Sequence, residues 1–138
     1  MITVLAGGIG AARFLRGLVR VVPPRDIAVI VNVADDLELY GLRICPDLDS
    51  ITYWLGEGVD TQRQWGRNDE HYTVTAELSR LGADPWFTLG DRDLATHLYR
   101  TGRLADGATL TEVTAEIAAA WGLELRLLPS TDGRLETR

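Results

Sequence analysis

Two hydrophobic periods share this chain. Ile2 to Ala6 is a short, β-branched apolar run that stops at Gly7-Gly8-Ile9-Gly10, which predicts a strand running into a tight turn. Phe14, Leu15, Leu18 and Val22 then recur at helical spacing with arginines between them, and Pro23-Pro24 ends that helix. Ile27 to Val33 is a second continuous apolar run, the pattern of a strand covered on both faces. Strand, glycine turn, helix, strand is the opening of a parallel α/β sheet.

Downstream the signals are shorter. Leu37 to Leu42 is an apolar stretch with no clear period. Ile51, Trp54, Leu55 and Val59 fall at helical spacing after Pro46-Asp47-Leu48-Asp49, and residues 56–69 read as a loop. Val74 to Leu81 predicts a helix closed by Gly82, and Trp86 to Leu89 a short strand ending at Gly90. Leu94, His97 and Leu98 predict a further helix. Thr109 with Glu112 forms a capping box for a helix running to Trp121, with Gly122 as its stop. Leu123 to Leu128 predicts a last strand. No internal repeat, linker or low-complexity tract interrupts the pattern.

Composition narrows the chemistry. With 138 residues, 46% hydrophobic and 25% charged, the chain is one globular domain with enough length to bury a core. The net charge of −6 argues against non-specific binding to nucleic acid or anionic membrane. All 14 basic residues are arginine, so Schiff-base lysine chemistry and a Walker-type phosphate lysine are excluded. Cys45 is the single cysteine, so no intrachain disulfide and no thiolate zinc site can form. The N-terminus lacks a signal-peptide pattern and no window approaches the ~18 apolar residues of a membrane span, which leads us to expect a cytoplasmic protein.

Four segments carry candidate chemistry. Gly7, Gly8 and Gly10, between a strand and a helix N-terminus, allow backbone N–H groups to approach a phosphate. Arg13 stands where a dinucleotide fingerprint has its third glycine, which counts against a dinucleotide-dependent oxidoreductase. Asn32, Asp35 and Asp36 follow the second strand, where an acidic residue can bind a ribose or hold Mg²⁺. Cys45-Pro46-Asp47-Leu48-Asp49-Ser50 places two carboxylates at the start of a helix, as a cap or as a metal and proton-transfer site. Leu89-Gly90-Asp91-Arg92-Asp93-Leu94-Ala95-Thr96-His97 suits a site at the carboxyl edge of a sheet, with Arg92 able to clamp a phosphate. His97, between Leu94 and Leu98, is expected to be packed rather than catalytic, and a histidine metal site is not expected.

These four segments, in this order and spacing, resemble the 2-phospho-L-lactate transferases, whose actinobacterial members are described as phosphoenolpyruvate transferases. Trp65-Gly66-Arg67-Asn68-Asp69 and Leu127-Leu128-Pro129-Ser130-Thr131-Asp132 extend the likeness over the whole chain. The resemblance implies a Rossmann-like three-layer α/β fold with a mainly parallel sheet. Residues 1–138 would be the N-terminal, nucleotide-binding-like portion of a chain roughly twice as long, inactive on its own. It implies a transferase in coenzyme F-420 biosynthesis. A phospholactyl or phosphoenolpyruvyl group would move from a guanosine diphosphate-linked donor to 7,8-didemethyl-8-hydroxy-5-deazariboflavin, with release of GMP and help from Mg²⁺. On that resemblance Asp49 and Arg92 are the expected catalytic residues. Gly7, Gly8, Gly10, Asn32, Asp35, Asp36, Asp49, Thr88, Gly90 and Asp91 are expected to bind the two substrates, and Asp35, Asp36 and Asp49 the metal. A second copy of the chain is the expected protein partner, with no nucleic acid and no membrane. The competing reading is a non-catalytic regulatory protein that binds a nucleotide sugar through the same glycine start.

Overall fold

The computed structural model describes residues 1–84 and 86–135. Strand β1 (Ile2–Ala6) leads through Gly7-Gly8 into helix α1 (Ile9–Leu18), and a single 3₁₀ turn at Pro24–Asp26 delivers the chain to β2 (Ile27–Val31). A hairpin of β3 (Leu37–Leu39) and β4 (Leu42–Ile44) follows, then helices α2 (Pro46–Leu55), α3 (Thr73–Arg80), α4 (Asp91–Ala105) and α5 (Leu110–Ala120), and finally β5 (Arg126–Pro129).

The main sheet is parallel with order β1-β2-β5. Its register runs Ile2 opposite Ile27 to Ala6 opposite Val31, and Ala28 opposite Arg126 to Val31 opposite Pro129. β2 is therefore the inner strand, and Ile27, Ala28, Val29 and Val31 are all buried, which is why its sequence lacks alternation. β1 is an outer strand, and its Leu5 remains 79% exposed. α1 packs on α2, α5 covers β5, and α4 rests on β4 and α5. Ala12 and Leu15 from α1, Leu48 and Ile51 from α2, and Leu110 and Ala118 from α5 join the strand residues in one core. This is the α/β, Rossmann-like architecture expected.

Two local expectations change. Trp86–Leu89 forms no strand; Trp86 is 71% exposed and the Leu89 carbonyl accepts from Thr75 Oγ1 at 2.8 Å, so the segment is tied to α3 rather than to a sheet. Leu37 to Leu42 belongs instead to an antiparallel hairpin. Its two turn residues, Tyr40 and Gly41, both have positive φ, 54° and 73°, as a two-residue type I′ connection requires. The Thr109–Glu112 capping box forms in both directions, and no helix among the described residues is long and apolar enough to cross a membrane.

Candidate active site

All three strands of the main sheet are parallel, so their carboxyl ends share one edge, where ligands of open α/β sheets bind. Gly8 is the N-cap of α1 and supplies no side-chain cap, so the first N–H groups of the helix are left for another acceptor. A Cβ at Gly8 would lie 3.0 Å from Asp47 Oδ1, whereas the space beside Gly7 and Gly10 is open. Gly8 is thus explained by the close approach of Asp47, which α2 delivers from its first turn. Asn32 ties the edge together. Its Nδ2 donates to Asp35 Oδ2 at 3.1 Å and to Asp47 Oδ2 at 2.9 Å, while its Oδ1 accepts from the Ala34 N–H at 3.1 Å. Partial burial, with the charges of Asp35 and Asp36 nearby, pushes the Asp47 carboxyl above the ordinary carboxylate range, against the pull of Asn32.

A second cluster lies between α2 and α4. Asp49 and Tyr53 share one face of α2, and Asp93, His97 and Arg100 share one face of α4. Arg100, itself buried, donates from Nη2 to Asp49 Oδ1 and from Nη1 to the Arg43 carbonyl at 3.1 Å. Its Nη1 also lies 3.3 Å from His97 Nδ1. Tyr53 donates to Asp93 Oδ1 at 2.5 Å and is hydrogen-bonded to Thr96 Oγ1 at 2.9 Å. Two atoms are left over. Asp49 Oδ2 and His97 Nε2 are buried without a hydrogen-bond partner, although His97 Nε2 is within 3.1 Å of Asp93 Oδ2. Burial raises the Asp49 carboxyl, with Arg100 and His97 pulling back against it. Burial works on Asp93 in the same upward sense, but the closeness of His97, with Tyr53 and Arg100, outweighs it and holds that carboxyl low. Next to this cluster is a pocket of about 230 Å³, whose lining includes Asp49, Asp93 and His97 together with Tyr53, Trp65 and Phe87. Trp65 and Phe87 are ring neighbours, with centroids 6.5 Å apart.

The predicted site residues separate accordingly. Gly7, Gly8, Gly10, Asn32, Asp35 and Asp47 meet at the sheet edge, and Asp49 lines the aromatic pocket. Asp36 turns inward, where its carboxylate accepts from Arg43 at 2.9 Å and from the Cys45 thiol at 3.2 Å, so it holds the hairpin. Asp35, Asp36 and Asp49 do not form one ligand group among the described residues. The three that come within 4.8 Å of one another are Asp49, Asp93 and His97. There the Arg100 guanidinium already bonds Asp49, and a divalent ion would sit against that fixed positive charge. Asp91 caps α3, accepting from the Thr73 and Val74 N–H groups at 3.2 and 3.0 Å. Gly90 is covered by Glu70, whose carboxylate accepts from the Arg92 and Asp93 N–H groups at 2.8 and 3.0 Å. The α4 N-terminus is therefore filled by a protein anion. Thr88 and the Arg92 side chain are exposed, and Arg92 makes no ion pair among the described residues. Sequence reasoning missed Tyr53, Glu70 and Arg100 and set His97 aside as packing. The spacing Asp93, His97, Arg100 on one helix face was the available signal.

The chain matches the family described as 2-phospho-L-lactate transferase CofD over residues 2–138. It is 53% identical over 137 residues to the phosphoenolpyruvate transferase of Streptomyces griseus, covering 99% of this chain and 43% of that protein. The phosphoenolpyruvate transferase of Kitasatospora aureofaciens is 51% identical over 138 residues, and that of Thermobifida fusca 49% over 145, with 43% and 45% of those proteins covered. The chain thus spans less than half the length of these curated relatives. With the family matched across essentially all of its residues, the chain belongs to the 2-phospho-L-lactate transferase CofD family.

Proposed function

We propose that this chain carries the acceptor pocket and the phosphate-binding loop of a transferase in coenzyme F-420 biosynthesis. The acceptor is the deazaflavin 7,8-didemethyl-8-hydroxy-5-deazariboflavin. The donor is a phospholactyl or phosphoenolpyruvyl group linked to GMP through a diphosphate. One observation supports this most: the pocket lined by Tyr53, Trp65 and Phe87 is also lined by Asp49, whose Oδ2 is a buried carboxylate oxygen that no protein donor satisfies. A planar ring system stacks on Trp65 and Phe87, and a hydroxyl of the acceptor donates to Asp49.

The reaction is a displacement at phosphorus. The acceptor hydroxyl oxygen forms a bond to the phosphorus bearing the organic acid, and the bond from that phosphorus to the bridging oxygen breaks. GMP leaves with that oxygen, and the hydroxyl proton passes to Asp49. Burial of Asp49 favours its protonated form and so suits it to receive the proton. Arg100 fixes the carboxylate by holding Oδ1, which leaves Oδ2 without a protein donor. The open N-terminus of α1, flanked by Gly7 and Gly10, receives donor phosphates.

Mg²⁺ fits the sheet edge better than the aromatic pocket. Asp35 and Asp47 offer hard oxygens that Asn32 bridges; burial first, and then the charges of Asp35 and Asp36, raise the Asp47 carboxyl, and a cation would offset the repulsion between these carboxylates. These residues would hold the ion, which supplies charge neutralisation for the donor phosphates. Turnover also needs the two substrates aligned ~3–3.5 Å apart and shielded from water. On this reading the 138 residues bind acceptor but do not release GMP without the rest of the relatives' length.

The test is calorimetric titration of the deazaflavin into the chain and into Asp49→Asn. The amide keeps the shape and loses the charge, so affinity should fall by ~1–3 kcal/mol, the worth of a hydrogen bond to a charged group. Equal affinity in the two proteins would remove Asp49 from the acceptor site.

A further inference from the structure

A second concavity lies on the flank of α1, away from both the sheet edge and the aromatic pocket. Arg13, Arg16, Gly17 and Arg20, with Trp54 of α2, line a groove of about 470 Å³. Arg13 and Arg16 lie three residues apart on α1, and Arg20 stands in the turn that follows the helix, its N–H bonded to the Gly17 carbonyl at 3.1 Å. Arg16 rests over the Trp54 ring, 5.9 Å from its centroid. None of the three makes an ion pair among the described residues, although Arg43, Arg63, Arg80, Arg100, Arg103 and Arg134 all do. In a chain of net charge −6, three uncompensated guanidiniums converging on one groove are a local reversal of the protein's own field.

Gly17 adds an independent observation. It is the penultimate residue of α1, a position where alanine is the better helix former. A Cβ there would meet nothing within 4 Å, and its φ is not positive, so neither packing nor backbone geometry calls for glycine. Gly17 lines the groove beside the arginines, where a side chain would take up part of its space.

We propose that this groove binds a small ligand carrying two or more linked phosphates. Guanidinium forks match phosphate oxygens in pairs. Arg13 and Arg16 on α1, with Arg20 just past its end, present more guanidinium donors than a single phosphate uses. The concavity is shallow and open to solvent, with about 470 Å³ of room for a small ligand. The site is distinct from the glycine loop, since Arg16 lies ~10 Å along the axis from the first residue of α1. It does not depend on the reaction proposed above.

The test is titration of tripolyphosphate, adenosine triphosphate and orthophosphate into the purified chain at low salt, followed by calorimetry. Tripolyphosphate and the nucleotide should both bind, and orthophosphate at least tenfold more weakly. Arg20→Ala, at an exposed position without a partner, should weaken tripolyphosphate about tenfold, and the Arg16→Ala/Arg20→Ala pair further. Gly17→Ala should raise the melting temperature while weakening the ligand, a split that a misfolded variant cannot produce. Gly8→Ala, which touches the glycine loop, should leave this binding in place. The proposal is overturned by any of three results: no binding of tripolyphosphate, binding lost in Gly8→Ala but unchanged in the arginine variants, or an acidic polyglutamate peptide binding more tightly than tripolyphosphate.

Discussion

Replacing Arg100 by methionine tests the physical account of the α2–α4 cluster most directly. Methionine keeps much of the apolar stem and deletes the charge. The guanidinium now bonds Asp49 Oδ1 and the Arg43 carbonyl, and both Arg100 and Asp49 are nearly sealed from water, with side chains 2% and 7% exposed. Removing one partner of such a pair leaves the other charge buried and costs about 3–5 kcal/mol. At roughly 2–4 °C per kcal/mol for a domain slightly larger than this one, the melting temperature should fall by about 10 °C. The cost should depend on pH. Without Arg100, the already raised Asp49 carboxyl moves further up, because burial remains and its strongest counterweight is gone. A raised folded-state pKa gives stability at low pH that is lost as pH rises, so the variant should suffer more at pH 7.5 than at pH 5. Urea unfolding followed by tryptophan fluorescence, at both pH values, measures this. The Asp49→Leu/Arg100→Met double variant should recover most of the loss, since no lone charge is left buried. A single-variant loss under about 1 kcal/mol at pH 7.5, or a double variant no better than the single, would show that water reaches the pair.

Glu116 and Cys45 give two further expectations. Glu116 accepts from Arg103 at 2.9 and 3.0 Å and from Tyr99 at 2.8 Å, which hold its carboxyl at about 2, down from 4.5. A lowered carboxylate stabilises above its unfolded value and loses that contribution as pH falls from 4.5 toward 2, so Glu116→Gln should flatten the urea midpoint over that window alone. Burial pushes the Cys45 thiol up to about 12, so it should resist iodoacetamide at pH 8 and react only on unfolding; rapid labelling seen by intact mass under native conditions would contradict its burial.

Legibility in the sequence follows the range of the interactions. β1, α1 and β2 were readable because glycine, proline and apolar runs act locally, and the Thr109–Glu112 box was readable because both partners lie within one turn. The β3–β4 hairpin was not, because its runs are three residues each and Tyr40 gives no sign of a positive φ. Asp49 was legible through its motif, but its partner Arg100 is 51 residues away and looks like any surface arginine until α4 folds against β4. Asp36 illustrates the opposite error. Adjacent acids suggested a shared role, yet one carboxylate accepts from Asn32 and the other from Arg43 and Cys45.

The Leu-Gly-Asp-Arg-Asp segment shows how a recognisable motif can place a site without touching its ligand. Gly90 lacks a Cβ where Glu70 lies across it, and the Glu70 carboxylate seals the first turn of α4. Asp91 reaches back to cap α3, while its own N–H donates to the His71 carbonyl at 2.8 Å. Residues 70–74 and 90–93 are thereby fixed to one another by backbone N–H groups and two carboxylates. Only the next residues of the motif, Asp93 and His97, face the pocket, and their position is set by those caps. The exposed Arg92 stands outside this scheme, so its substitution should leave the geometry of α4 intact, whereas loss of the Glu70 carboxylate should loosen Asp93 and His97 together. Spacing within the motif therefore reflects the need to tie a loop, a helix start and a pocket wall at one point, and its chemistry begins where the capping ends.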